Sequence, residues 1–206
     1  MKLLAVVLAA VALVAASGAT AAPDRSTVSA TQFRLGMDKL WEEHVAWTRM
    51  AIVSFAAGQP NLAATEARLL RNQVDIGNAI KPYYGDAAGE ELTRLLKEHI
   101  AAAVAVVQAA HAGDQPALDR AVQAAYANAQ EIADFLARAN MRWPQAEVRD
   151  MMKGHIDTTL VYATSIIQGR YADGITEYGR AEAHMMMFAD MLSEGLIAAF
   201  PMKFAN

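Results

Sequence analysis

The histidines and methionines are the residues of this sequence best suited to bind a metal ion. The chain contains five histidines, eleven methionines and no cysteine. Three of the histidines, His44, His99 and His155, recur at nearly equal intervals along the chain. Two apolar residues precede each of them by four and three positions, and a β-branched aliphatic residue follows. Imidazole suits zinc, copper, iron and nickel, while the methionine thioether selects soft ions such as Cu(I).

A glycine follows each of these histidines at one and the same spacing, at Gly58, Gly113 and Gly169. Glycine closes helices because it adopts the left-handed conformation without a Cβ clash. Pro60 and Pro116 come soon after two of the glycines, where proline suits the first turn of a following helix. The common spacing predicts an internal repeat of three helical hairpins, over about 31–85, 86–142 and 143–206.

Helix-forming residues fill the segments between these boundaries. Alanine, leucine, glutamate, glutamine and methionine are abundant there, and all favour helix. No sustained alternation of apolar and polar residues and no Asn-Gly turn appears. The sequence therefore predicts an all-α fold, a compact bundle of six helices in three antiparallel pairs. The expected helices are 31–57, 61–81, 87–112, 115–139, 145–168 and 173–199, with Asp86 and Asp114 as N-caps.

Helical spacing puts each repeated histidine on the apolar face of its helix. Each hairpin turns at its glycine. Residues that lie about twice as far beyond the histidine as the glycine does therefore return to the level of the histidine. Those positions hold Asn72-Gln73, Ala127-Asn128 and Ala183-His184. Because a buried imidazole without a hydrogen bond costs about 1–3 kcal/mol, amide partners would satisfy His44 and His99 as core residues. Convergence of all three repeated histidines into one three-imidazole site is the alternative.

The third hairpin has the composition of a soft-metal site. His155 is expected to face His184, and methionines crowd the same level. Imidazole and thioether together select Cu(I). Copper is therefore the expected cofactor, with His155, His184, Met152 and Met187 as its ligands and the three-imidazole site as the alternative ligand set. Two other interpretations stay open, namely methionines that only fill the core and non-covalent binding of haem b.

A second group of polar and aromatic residues is a candidate ligand pocket on two successive helices. It comprises Trp47, Arg49, Asn72, Gln73, Asp75 and Asn78. The second of these helices carries Asn72, Asp75 and Asn78 at three-residue intervals, so these side chains share one face. An interhelix hydrogen-bond network or a solvated edge explains the same spacing.

The start of the chain, residues 1–22, has the three successive regions of a secretory signal peptide, which are charged, apolar and rich in small residues. Lys2 precedes an apolar run over residues 3–16, and small residues follow the run. Removal of residues 1–21 leaves a flexible segment over 22–30 and a single helical-bundle domain over 31–206. An uncleaved anchor is the alternative, although the run is shorter than the roughly 20 residues of a membrane span. We therefore expect an exported protein, periplasmic or extracellular, with no membrane span after cleavage.

Composition and missing motifs exclude several classes of function. A net charge of −4 and a pI near 5.7 lack the positive charge that nucleic-acid binders need. Without cysteine, the chain has no disulfide, thiolate metal site, covalently attached haem c or cysteine nucleophile. HExxH, GxSxG, Walker-type and GxGxxG motifs do not occur, and no histidine has glutamate three residues before it. No set of residues argues for an enzyme.

Three segments resemble a family of small bacterial all-helical proteins of unknown function: Leu40–Arg49, Asn72–Asn78 and Met186–Gly195. Some members of that family carry automatically assigned names of glycosyltransferase or acetylglutamate kinase. The resemblance covers most of the mature chain, implies an all-helical fold and assigns no catalytic residue. A nucleotide-using kinase or sugar transferase needs a phosphate-binding loop or an α/β nucleotide site, and this sequence has neither.

Overall fold

Six helices make up nearly all of the chain that the computed structural model describes, residues 28–205. They are α1 (Ala30–Ala56), α2 (Leu62–Tyr84), α3 (Asp86–Ala112), α4 (Gln115–Ala139), α5 (Gln145–Ile167) and α6 (Tyr171–Ala199). The predicted all-α fold is confirmed. The expected signal peptide and most of the expected flexible segment lie outside the described residues. Within residues 28–205, no helix combines the length and the apolar composition needed to span a bilayer.

Left-handed glycines close the turns within the three helix pairs, as their spacing predicts. Gly58, Gly113 and Gly169 have φ angles of 60°, 68° and 71°. After the second of these, Asp114 caps α4, because its carboxylate accepts a 3.0 Å hydrogen bond from the Ala117 amide. The histidines therefore stand a fixed distance from one end of each pair, whereas the three-copy repeat stays an interpretation of the sequence.

The junction between α2 and α3 differs from the prediction. Helix α2 continues through Pro82 to Tyr84, although proline lacks the amide hydrogen that would bond to the carbonyl oxygen four residues before it. Gly85, with φ of 86°, then takes the N-cap position in place of Asp86. Asp86 opens α3 instead, where its negative charge still favours the positive end of the helix dipole.

The helices form a closed ring in which each packs against its neighbour in sequence and α6 packs back against α1. Short connections make successive helices antiparallel. Helix α5 also contacts α1 and α3 across the interior. The three odd-numbered helices, which carry the repeated histidines, therefore meet at the centre. Buried apolar side chains fill the remaining interior, among them Ile76, Ile132, Met185, Phe188 and Leu196.

Two short strands pair with each other at the two ends of the described chain. Strand β1 (Val28–Ser29) pairs in parallel with β2 (Phe204–Ala205), which follows a single 3-10 turn. The Phe204 ring packs against Phe33 and Tyr83, with centroids 5.2 and 5.5 Å apart. Residues 28–30, which were expected to be flexible, are thereby held against the bundle.

Candidate metal centre

The three repeated histidines meet in the middle of the bundle. His44 lies on α1, His99 on α3 and His155 on α5. Their ring centroids are 6.3 Å apart for His44 and His99, 5.7 Å for His44 and His155, and 5.4 Å for His99 and His155. One ring nitrogen from each lies within 4.8 Å of the other two. The alternative arrangement from the sequence, convergence into one three-imidazole site, is therefore the one observed. We call these residues the histidine triad.

Burial keeps the triad neutral. The three side chains are 2%, 5% and 4% exposed in chain order. Burial lowers the pKa of His44 to about 3, and repulsion from His99 adds to the effect. Burial likewise lowers the pKa of His99, and it lowers that of His155 well below the ordinary range, assisted by the charges of its neighbouring histidines. At neutral pH each ring therefore keeps one unprotonated nitrogen, and binding of a metal ion requires no net loss of a proton.

Asn128 on α4 orients the ring of His99, as predicted. The His99 Nδ1–H donates to Asn128 Oδ1 at 3.1 Å, and the Asn128 amide donates to the Leu95 carbonyl oxygen at 3.1 Å. Because Nδ1 carries the proton, Nε2 holds the free lone pair. A second residue that fixes the tautomer of a ligating histidine is a usual feature of protein metal sites.

Gln73 on α2 is the partner of His44, also as predicted. Its Nε2 lies 3.3 Å from His44 Nδ1 and donates to the Leu69 carbonyl oxygen at 2.8 Å. The two hydrogens of this amide are shared with Asn72 Oδ1, 3.2 Å away, so the contact with His44 is the longest of three. Because an amide nitrogen does not accept, His44 Nδ1 is the unprotonated nitrogen and the ring proton lies on Nε2. The Gln73 Oε1 atom is buried without a partner. If His44 ligated through Nε2, its proton would move to Nδ1, and the Gln73 amide would have to give up its hydrogen bonds to the Leu69 carbonyl oxygen and Asn72 Oδ1 in order to accept that proton.

His155 lacks a comparable partner, and His184 does not face its ring. The His155 Nδ1 atom is buried without a hydrogen bond, which costs about 1–3 kcal/mol. His184 Nε2 instead donates to the Met151 carbonyl oxygen at 2.8 Å. A Cβ atom on Gly154 would lie 2.5 Å from Cε1 of His184. The His184 ring therefore occupies the space beside α5 that this glycine leaves open.

The four residues expected as soft-metal ligands do not share one environment. Met152 and His155 are buried at 4% exposure each, whereas Met187 is 57% exposed on α6. Met187 faces outward because it follows the buried Met185 by two positions, about half a helical turn. The geometry therefore favours the histidine triad over the set of His155, His184, Met152 and Met187.

Two cavities flank the triad. The inner cavity, about 30 Å³, is bounded by all three histidines and by Trp41, Met37, Met152 and Met185, among others. The outer cavity, about 80 Å³, is bounded by His99, His155 and mainly apolar residues that follow the histidines toward the glycine turns. Neither approaches the roughly 300–1,000 Å³ of a cofactor pocket, so neither has room for haem b.

Two methionines of the inner cavity, Met37 and Met185, are not among the ligands expected from the sequence. Met37 carries a usable signal, since it precedes His44 by seven positions and shares its helix face. Met185 follows His184 directly and belongs to the methionines expected at that level, but its place at the centre depends on how α6 packs against α1. Together with Met152 they bring three buried thioethers to the inner side of the triad.

The second group of predicted binding residues divides between the interior and the surface. Asn72 is buried and donates to the Leu40 carbonyl oxygen, while its Oδ1 accepts from Gln73. At the surface, Asp75 pairs with Arg71 and Arg68. Trp47 lies beneath the Arg68 guanidinium, and the Arg49 guanidinium lies over the Tyr178 ring. Asn78 is exposed. The arrangement is an interhelix network rather than a pocket.

Three neutral imidazoles around one point can hold a metal ion and leave a fourth coordination position. Their nitrogens lie within 4.8 Å of one another. If an ion lay in the plane of the three nitrogens, 2.0–2.1 Å from each, the nitrogen–nitrogen distances would shorten to about 3.5 Å. Comparisons of the chain with family models, with curated proteins and with solved structures found no match.

Proposed function

We propose that this is an exported helical-bundle protein that binds a soft or borderline metal ion, copper(I) foremost, through His44, His99 and His155. The observation that carries the proposal is the convergence of three buried, neutral imidazoles from three helices within 4.8 Å. The buried Nδ1 of His155, which has no hydrogen-bond partner, points to the same conclusion. Export is proposed from the signal-peptide pattern of residues 1–21.

The surroundings of the triad favour a monovalent ion. Within the described part of the chain, no Asp, Glu, Lys or Arg side chain is buried, so no carboxylate offsets the charge of an ion bound there. The cost of burying an ion rises with the square of its charge, so a divalent ion costs about four times as much. The thioethers of Met37, Met152 and Met185, which line the inner cavity together with the triad, suit the soft ion Cu(I).

Metal titration of the purified, folded protein tests the proposal. Cu(I), Ag(I) and Zn(II) are each titrated in competition with a chelator, and one Cu(I) or Ag(I) ion per chain is expected. A ligand that binds only the folded state stabilises it by about 2.7 kcal/mol at a hundredfold excess over its dissociation constant. The thermal midpoint should therefore rise with Cu(I), and His44→Ala, His99→Ala and His155→Ala should each abolish the rise.

Two other histidines provide the controls. His111→Ala changes an exposed histidine at the end of α3 and should leave Cu(I) binding unchanged. His184→Ala distinguishes the two ligand sets, because only the set with Met152 and Met187 requires it. Retained binding in His184→Ala with loss in His44→Ala supports the triad, and the reverse result supports the other set.

A non-catalytic helical interaction or structural module is the second candidate function. Its supporting observation is that Gln73 and Asn128 already provide hydrogen bonds to His44 and His99 without a metal. On this hypothesis the same substitutions lower the stability of the metal-free protein, and added metal changes nothing. A folded wild type that binds none of the three ions would refute metal binding and leave the module.

The export proposal has its own test. Expression in the native host followed by intact-mass measurement should give a chain that begins at Ala22. A full-length chain retained in the membrane fraction would contradict export as a cleaved protein, because the apolar run would then act as an anchor.

A further inference from the structure

We infer that a metal ion held by the histidine triad keeps one coordination position open toward the outer cavity, where it binds a small neutral electron-pair donor such as carbon monoxide. This inference rests on the proposed function. It adds a second ligand class and assigns a role to a cavity that metal storage alone does not need.

The position of the outer cavity supports an open site. His99 and His155 form part of its wall, so an ion between the three rings would lie at its inner end. Three protein ligands leave a fourth position free, as in zinc sites that bind water or substrate. The outer cavity lies on the side of the triad opposite Trp41 and Met152, which bound only the inner cavity.

The size and polarity of the outer cavity define the ligand class. Its volume of about 80 Å³ compares with the roughly 10–15 Å³ that one water requires on the same measure, so it admits a molecule of a few atoms. Most of its wall is apolar, including Ile52, Val106, Val107 and Ala163. Such a wall penalises a charged or strongly hydrated ligand, which leaves a small neutral molecule.

A route from solvent follows from polar residues of the cavity wall that are accessible to solvent. Gln108 is exposed, and Glu66 and Thr48 are half-buried. The Glu66 carboxylate near this opening disfavours anions such as cyanide or azide. Carbon monoxide is therefore a suitable probe, because its carbon donates an electron pair to Cu(I) without breaking a bond or transferring an electron.

The experiment uses the Cu(I)-loaded protein and carbon monoxide. Infrared spectroscopy should show a stretching band of copper-bound carbon monoxide that the metal-free protein lacks. After flash photolysis, Ala103→Leu should slow rebinding by at least about tenfold, which corresponds to about 1.4 kcal/mol in the barrier. Ala103 faces the outer cavity one helical turn after His99. Ala51→Leu, on the α1 side of the same cavity, is a second variant should the first fail to fold.

Ala101→Leu is the matched control, since Ala101 is exposed on the same helix and does not line the cavity. Its rebinding rate should equal that of the wild type. A protein that binds Cu(I) but forms no carbonyl would overturn the inference and leave the proposed function standing. A carbonyl whose rebinding neither cavity variant slows would overturn the route through the outer cavity. A protein that binds no Cu(I) would refute the proposed function itself.

Discussion

Mild acidification of the metal-free protein should destabilise it through the histidine triad. A histidine with an ordinary pKa near 6.5 goes from about one-tenth to about nine-tenths protonated between pH 7.5 and 5.5. In the folded state burial lowers the pKa of His44 to about 3, so this ring stays neutral over that interval. The unfolded state therefore takes up the protons, and stability that is complete above the unfolded pKa is lost as the pH falls below it.

The expected loss follows from this difference in proton uptake. Over two pH units centred on the unfolded pKa, one histidine that stays neutral in the folded state lowers the free energy of unfolding by about 1.4 kcal/mol. Burial lowers the pKa values of His99 and His155 in the same direction, so each adds to the loss. The loss from His44 alone is already an appreciable part of the roughly 5–15 kcal/mol typical of a folded domain.

Urea unfolding followed by far-UV circular dichroism at pH 7.5, 6.5 and 5.5 measures the loss. His44→Gln removes one titrating group and should reduce the loss by about 1.4 kcal/mol, whereas exposed His111→Gln is the matched control. Carboxylates contribute at lower pH, as for Asp134, whose pKa is lowered by hydrogen bonds from Arg149 and Gln145. A wild type with the same stability at pH 7.5 and 5.5, or an equal loss in His44→Gln, would refute a neutral buried triad.

Two further predictions concern the support of the triad and the packing of the helices. Asn128→Ala should weaken Cu(I) binding about 10- to 100-fold by releasing the His99 ring, and chelator competition would show this against exposed Asn78→Ala; equal affinity would contradict a positioning role. Gly77→Ala should destabilise the fold by about 1–3 kcal/mol, because its Cβ would lie 2.5 Å from the Gly89 carbonyl oxygen. Gly36→Ala is the control, because a Cβ atom there would meet nothing within 4 Å, and it should instead stabilise α1 by about 0.5–1 kcal/mol in urea unfolding. A Gly77→Ala protein as stable as the wild type would contradict the close approach of α2 and α3.

Local rules were sufficient to predict the helix pairs and the amide partners of two histidines. The position of Gly58 after His44 sets the length of the first arm, so Gln73 returns to the level of the histidine. The same arithmetic places Asn128 beside His99. These predictions depend on helix rise and turn position, both of which adjacent residues determine.

In the third helix pair, α5 and α6, helix rise and turn position do not predict which way the His184 ring points. His184 returns to the expected level, yet its ring turns toward Gly154 and the Met151 carbonyl oxygen. A missing side chain on the facing helix decides that orientation, and helical periodicity in α6 carries no information about it. Convergence of the triad depends likewise on the packing of α5 against α1 and α3, which involves residues far apart in the sequence.

The parallel pairing of β1 with β2 also determines how the protein can be attached to a surface. Val28 lies opposite Phe204, so the first and the last residues of the described chain lie close together at one end of the bundle. Helix α1 runs from that end toward Gly58, and the outer cavity lies on the same side of the triad as the glycine turns. A tag or tether at either end therefore presents the opening of the cavity away from the point of attachment, and immobilisation through one terminus leaves it free for small molecules.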